Sequence, residues 1–243
     1  MRDRWIKHDS LTSTNSYLSD LLREGDPAEG TVIIADYQDA GRGVGGHSWS
    51  SKRGENLLMS MLLFPAFLSA SEQFQLSRVA SLALCDVLEK LETDSMIKWP
   101  NDILASGGKI AGILIEHGIT AGNISHTVIG IGLNLNQDEF PHFPMPATSL
   151  FLEKGKHVDV QKVATLLVDA LMSRYQDLKD GKTAVLEKEY LDRMLWLGVP
   201  RIFKSGDELF EGCIRGVNNF GELKVECRGE VRVYAHGAIS LEN

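Results

Sequence analysis

GRGVGGHSW, residues 41–49, holds four glycines, an arginine, a histidine and a tryptophan in nine positions. Gly41, Gly43 and Gly46 fit the G-x-G-x-x-G of a dinucleotide site. From Gly41 to Ser48 the stretch is also one residue from a P-loop, with His47 where the frame G-x-x-x-x-G-K-[ST] needs lysine. Both motifs require the glycines to open a helix, because the phosphate rests on that helix's N-terminal N–H groups. Upstream, TVIIADY (31–37) has the apolar density of a buried strand. Residues 47–56, however, are rich in Ser, Gly and charge with no helical periodicity, and the next apolar run, LLMSMLLF (57–64), is strand-length. The glycines therefore form a loop between strands, and both nucleotide folds are excluded. Most glycine clusters are flexible surface turns. Arg42 and Trp49 favour a second reading, in which backbone N–H groups, a guanidinium and a flat ring suit a phosphate joined to a planar base. Both readings stand at this level.

Outward from the loop, the chain alternates helical and strand patterns. Ser13 and Thr14 are N-cap types, Tyr17, Leu18, Leu21 and Leu22 make an apolar stripe, and Gly25 offers a stop, so the first helix is expected here. Ser69 and Glu72 can form a capping box before a second helix that turns Leu76, Val79, Ala83, Val87 and Leu91 inward. MIKWPNDIL (96–104), KIAGILIE (109–116) and HTVIGIGLNLN (126–136) are short β-rich runs joined by tight turns, and residues 159–179 and 183–194 carry two more helical patterns. The expected class is α+β, a mixed sheet with helices packed to one side. After Leu195 the texture changes to short strands separated by SGD, NNFG and CRGE. Residues 1–195 are thus expected to form one domain and residues 196–243 a small β-barrel docked on it.

Composition narrows the function. A chain of 243 residues, 43% hydrophobic, can bury a full core. A formal charge of −8 without any Lys/Arg block argues against binding nucleic acid through counterion release. The N-terminus is polar, and the longest apolar run, 57–70, is interrupted by two serines and a proline, so a membrane span is not expected and a cytoplasmic location is. Cys85, Cys213 and Cys227 are far apart and the seven histidines are scattered, so neither a disulfide framework nor a structural metal is expected.

Two strands contain residues out of character. Lys98 lies in an otherwise apolar run just before Trp99 and Pro100; it either snorkels to the surface or points into a site where an anion meets it. Pro100 holds Trp99 extended, so Asn101 and Asp102 must leave the strand as pocket-rim residues would. In IGIGLNLN, Gly130 and Gly132 weaken a strand unless something approaches its backbone or a bulge forms there, and Asn134 is polar within an apolar run.

These features occur together in one family. TSTN (12–15), YQDAGRG (37–43), WSS (49–51), KWPNDIL (98–104), GGKIAGILIE (107–116) and IGIGLNLN (129–136) resemble, in order and spacing, the biotin protein ligases. GDELFEG (206–212), GVNNFGEL (216–223) and HGAISL (236–241) resemble that family's C-terminal barrel, so the likeness spans residues 8–241. It implies a catalytic domain related to class II aminoacyl-tRNA synthetases and an SH3-like barrel. It also implies a ligase that makes biotinyl-5'-AMP from biotin and Mg²⁺-ATP and passes the biotin to a lysine of a biotin carboxyl carrier domain. Lys98 and Arg42 are the implied catalytic cations. The implied biotin contacts are Ser13, Thr14, Asn15, Gln38, Gly41, Arg42, Gly43, Val44, Lys98 and Gly112, and the implied ATP contacts are Arg42, Trp49, Lys98, Asn101 and Asn134. Neither DNA nor membrane is an expected partner, since the chain starts almost directly at the catalytic domain without a helix-turn-helix; a homodimer is the candidate assembly. Many members have arginine where this chain has Val44 and another basic residue where it has His47, so less fixed charge is expected on this loop.

Overall fold

The structure, a computed structural model, describes residues 4–241. Its larger sheet has seven strands: β1 (Trp5–His8), β2 (Val32–Ala35), β3 (Leu57–Leu63), β4 (Met96–Lys98), β5 (Asp102–Ala105), β6 (Gly108–Thr120) and β7 (Asn123–Leu133), arranged β1-β2-β3-β7-β6-β5-β4. β1 and β2 run parallel and every other pair is antiparallel, which makes the sheet mixed and the class α+β. β1 was not foreseen: WIKH is four residues long and half of it is charged or polar, too little for a period-2 signal.

Helices cover both faces, correcting the expectation of one helical side. α1 (Thr14–Glu24) lays Leu18 on Ile33, Leu62 and Val128. On the opposite face α2 (Phe74–Lys90) and α4 (Val160–Lys179) cover the alternate residues Val32, Ile34, Met59 and Met61. The reason lies in the strands, because VIIA and LLMSMLL are buried at every position rather than at every second one, and a strand apolar on both sides needs cover on both. α3 (Leu150–Lys154) is a short unforeseen helix, and α5 (Thr183–Asp192) packs on α2.

Local chemistry sets the helix ends. Ser13 caps α1 by accepting from the Ser16 N–H, Asp159 caps α4 through the N–H groups of Gln161 and Lys162, and Gly25 ends α1. The Ser69–Glu72 capping box forms, but it closes a single 3₁₀ turn from which α2 then starts.

A second sheet, β8 (Pro200–Ser205), β9 (Glu208–Val217), β10 (Leu223–Cys227), β11 (Glu230–Tyr234) and β12 (Ser240–Leu241), is antiparallel in the order β11-β10-β9-β8-β12. It docks on α2 and on the end of β4. The Trp99 Nε1–H donates to the Gly221 carbonyl at 2.9 Å, and the Phe74 N–H donates to the Asn219 carbonyl at 3.3 Å. Arg78 of α2, 1% exposed, donates to Glu187 of α5 at 3.1 Å and to the Val217 carbonyl at 3.3 Å. One guanidinium thereby joins three elements. Glu187 stays near the surface, so losing Arg78 costs mainly an unmet buried carbonyl and a cavity. Arg78→Ala is expected to lower unfolding free energy by about 2–4 kcal/mol, read from urea denaturation midpoints; a change under about 0.5 kcal/mol would show that the second sheet docks without it.

Candidate active site

The centre of the larger sheet carries a patch without side chains. Gly112 of β6 pairs with Gly132 of β7, and Leu114 pairs with Gly130. A Cβ on Gly132 would lie 2.3 Å from Cε2 of Trp49, and one on Gly130 would lie 2.2 Å from Oδ1 of Asn15. The glycines are there because an indole and an amide rest directly on the strand backbone. Trp49 is brought over the sheet by a tight turn: the Gly43 N–H donates to the His47 carbonyl and the Trp49 N–H to the Gly41 carbonyl. Val44–Gly46 between them is one 3₁₀ turn, with Gly45 at φ 68°.

Beside this floor is a neutral polar cradle. The N-terminus of α1 buries Ser13, Thr14 and Asn15. The Thr14 N–H donates to Gln38 Oε1 at 2.7 Å, and the Ser60 hydroxyl stands 2.7 Å from that of Thr14. Asn15 donates to Glu116 at 2.8 Å, and the same carboxylate oxygen accepts from Arg42 at 2.7 Å.

Cations border the cradle. Lys98 ends β4 and Asp102 begins β5, which places their side chains across one hairpin 3.9 Å apart. Lys109 of β6 reaches the same carboxylate at 2.6 Å and stands 5.5 Å above the ring centre of Trp49. Burial pushes the Lys98 ammonium below the usual lysine range; Asp102 opposes that shift and Lys109 adds to it. Two ammonium groups sharing one carboxylate leave a positive excess at a partly desolvated spot, which an incoming anion would relieve.

Cradle, floor and cations enclose a cavity of about 260 Å³. A second cavity of about 370 Å³ opens on the other side of the same group, sharing Trp49, Lys98, Asp102 and Lys109 and walled beyond them by Asn134, Phe140, Phe143 and Met145. One compartment offers hydrogen bonds to a neutral polar group, the other an aromatic wall for a planar one, and the positive excess lies between them.

Comparison with known proteins places the chain in a family. The model of the biotin/lipoate A/B protein ligase family matches residues 8–134. Over 242 residues the chain is 31% identical to the bifunctional ligase/repressor BirA of Bacillus subtilis, covering 97% of this chain and 73% of the relative. The chain belongs to the biotin/lipoate A/B protein ligase family. It is also 32% identical over 221 residues to the biotin–[acetyl-CoA-carboxylase] ligase of Paracoccus denitrificans, covering 88% of this chain and 91% of that one. Among solved structures, the biotin protein ligase from Aquifex aeolicus in complex with biotin and ATP superposes with a TM-score of 0.81 at 27% identity, over 98% of both chains.

As a member of the biotin/lipoate ligase family, the chain gathers most of the residues singled out in its sequence. Ser13, Thr14, Asn15, Gln38, Arg42, Gly43, Val44, Trp49, Lys98, Asn101 and Gly112 all line the first cavity. Gly41 sits behind it, its carbonyl holding the Trp49 N–H, and Asn134 lines the second cavity. Two asparagines are spent on backbone: Asn101 donates to the Ile113 carbonyl and Asn134 to the Thr148 carbonyl, each at 2.9 Å. Sequence reasoning placed Asp102 only at a pocket rim and missed Glu116, Phe140, Phe143 and His236. The one available signal was FPHFP (140–144), which spaces two phenylalanines in a loop with no core to fill. Gly132→Ala is expected to lift Trp49 off the sheet, shifting its fluorescence to the red at a stability cost of about 1–3 kcal/mol. If the shift persists in a Trp49→Phe background, or is absent altogether, the floor and the ring are not coupled.

Proposed function

We propose that this chain is an ATP-dependent biotin protein ligase. It joins biotin to AMP as biotinyl-5'-AMP with release of pyrophosphate, then transfers the biotin to a lysine of a biotin carboxyl carrier domain of a biotin-dependent carboxylase. What carries this reading is the position of Lys98: a half-buried cation between a polar cradle and an aromatic compartment, where a carboxylate held on one side meets a phosphate held on the other. The relatives named as biotin–[acetyl-CoA-carboxylase] ligases, and the relative bound to biotin and ATP, support it.

In this reading Ser13, Thr14, Asn15 and Gln38 hold the ureido ring of biotin, and Trp49 on its glycine floor covers the joint between the two substrates. The first step brings a carboxylate oxygen to the α-phosphorus while the bond to pyrophosphate breaks; in the second, the lysine amine attacks the carbonyl and AMP leaves. Both steps build negative charge where Lys98 and Lys109 share Asp102, so preorganised positive charge and positioning supply most of the acceleration. Arg42, now on Glu116, is free to exchange that carboxylate for a phosphate when the loop closes. The residues fit no protein-held metal: the carboxylate in the cavity, Asp102, is neutralised by lysine, and no cluster of three His, Cys, Asp or Glu side chains occurs among the described residues. Magnesium would arrive on the nucleotide's own phosphates.

We assign residues 1–195 to a catalytic domain related to class II aminoacyl-tRNA synthetases and 196–243 to an SH3-like barrel; the five-stranded antiparallel sheet docked through Trp99 and Arg78 supports that division. A homodimer remains part of the proposal through the family likeness alone.

Incubated with biotin and Mg-ATP, a biotin carboxyl carrier domain is expected to gain the mass of one biotinyl group; no gain, or gain only with lipoate or octanoate, would contradict the assignment. Lys98→Ala should slow adenylate formation by about 100-fold or more, a loss of about 3 kcal/mol in barrier stabilisation. Lys98→Arg should rescue poorly because a planar fork cannot replace a compact ammonium. Pyrophosphate release by Lys98→Ala within a few-fold of wild type would show that Lys98 merely snorkels.

A further inference from the structure

The C-terminal sheet puts one side chain into the first cavity. His236, in the turn between β11 and β12, lines it together with Arg42, Lys98 and Asp102. Its ring lies edge-on to Trp99, centroids 5.9 Å apart at 65°. A Cβ on Gly45 would lie 3.6 Å from its Cε1, so the imidazole bridges the loop that carries Arg42 and the strand end that carries Lys98. Gly45 and Gly46 are both at positive φ and present no side chain at the tip of that loop.

The stronger cations around this cavity are already engaged: Arg42 with Glu116, and Lys98 and Lys109 with Asp102. None of these ion pairs involves His236, whose exposed ring makes no hydrogen bond among the described residues. Val44, on the loop that carries Arg42, has no side-chain donor to offer. His236 does not line the second cavity, where Phe140 and Phe143 stand, so what it can meet is the charged junction near Lys98 rather than a planar base.

We propose that His236 donates a ring N–H to a phosphate oxygen of the bound nucleotide, so that the C-terminal sheet completes the nucleotide site. This rests on the ligase reading, which places a phosphate beside Lys98. Two substitutions separate donation from packing. His236→Phe keeps a ring against Trp99 and removes the donor; His236→Gln keeps an N–H donor and removes the ring. In a biotin-dependent pyrophosphate-release assay, His236→Phe is expected to raise the KM for ATP about tenfold or more, as losing a hydrogen bond to a charged group does. The KM for biotin should stay within about twofold, and His236→Gln should keep most of the wild-type affinity for ATP. Thermal midpoints of both variants should match wild type, which separates a lost contact from a displaced sheet.

Three results would overturn the proposal: an unchanged KM for ATP in His236→Phe, an equal rise in His236→Gln, or a parallel rise in the KM for biotin. Absence of pyrophosphate release from the wild-type protein would instead sink the ligase reading, and this proposal with it.

Discussion

A bare patch of backbone at the centre of a seven-stranded sheet governs the site. Gly112, Gly130 and Gly132 contribute no side chains where β6 and β7 pair, and Trp49 and Asn15 occupy the space that Cβ atoms would need. A central strand ordinarily gains from β-branched residues and loses with glycine, so stability is given up here for close approach. Flanking burial offsets the loss: Ile110, Ile129 and Leu133 are fully enclosed between the sheet and its helices. Helices cover both faces of this sheet, and the cradle at the N-terminus of α1 is tied to it through Asn15 and Ser60.

The electrostatics follow from the placement of the strands around that patch. A chain of net charge −8 attracts no polyanion by its overall field; it needs local cations held where water is scarce. The β4–β5 hairpin and the neighbouring β6 strand put Lys98 and Lys109 on one carboxylate, and the glycine loop puts Arg42 on another. Each cation thus has a carboxylate partner, the two lysines sharing one, and each pairing can be traded for a contact to an anion. The Arg42–Glu116 pair is exposed and contributes little to stability on its own, so exchanging it costs the fold little.

Much of this was legible in the sequence where a residue contradicts its setting. Glycines in an apolar strand run pointed to something lying on the backbone, and a lysine before Trp99 and Pro100 pointed to a site or the surface. The cap at Ser13 fixed the start of α1 because a side-chain oxygen near orphan N–H groups is a local matter. What is set by distant partners stayed hidden. Glu116 was one more acid at the end of an apolar run until folding brought it to Asn15 and Arg42. His236 was one of seven scattered histidines until the second sheet docked through Trp99. The two-sided helical cover could have been read from VIIA and LLMSMLL, whose unbroken burial is a periodicity signal that the α+β expectation set aside.

The central claim is that one loop closes over a sheet floor to join two ligands at Lys98. Hydrogen–deuterium exchange of the native protein tests it directly, with and without biotin and Mg-ATP together. The account predicts slowed exchange in the peptides that contain residues 41–49 and 98–102, with little change at the outer edge of the second sheet along β11. Unchanged exchange in 41–49, alongside protection elsewhere, would show that the ligands bind at another place and would contradict the account.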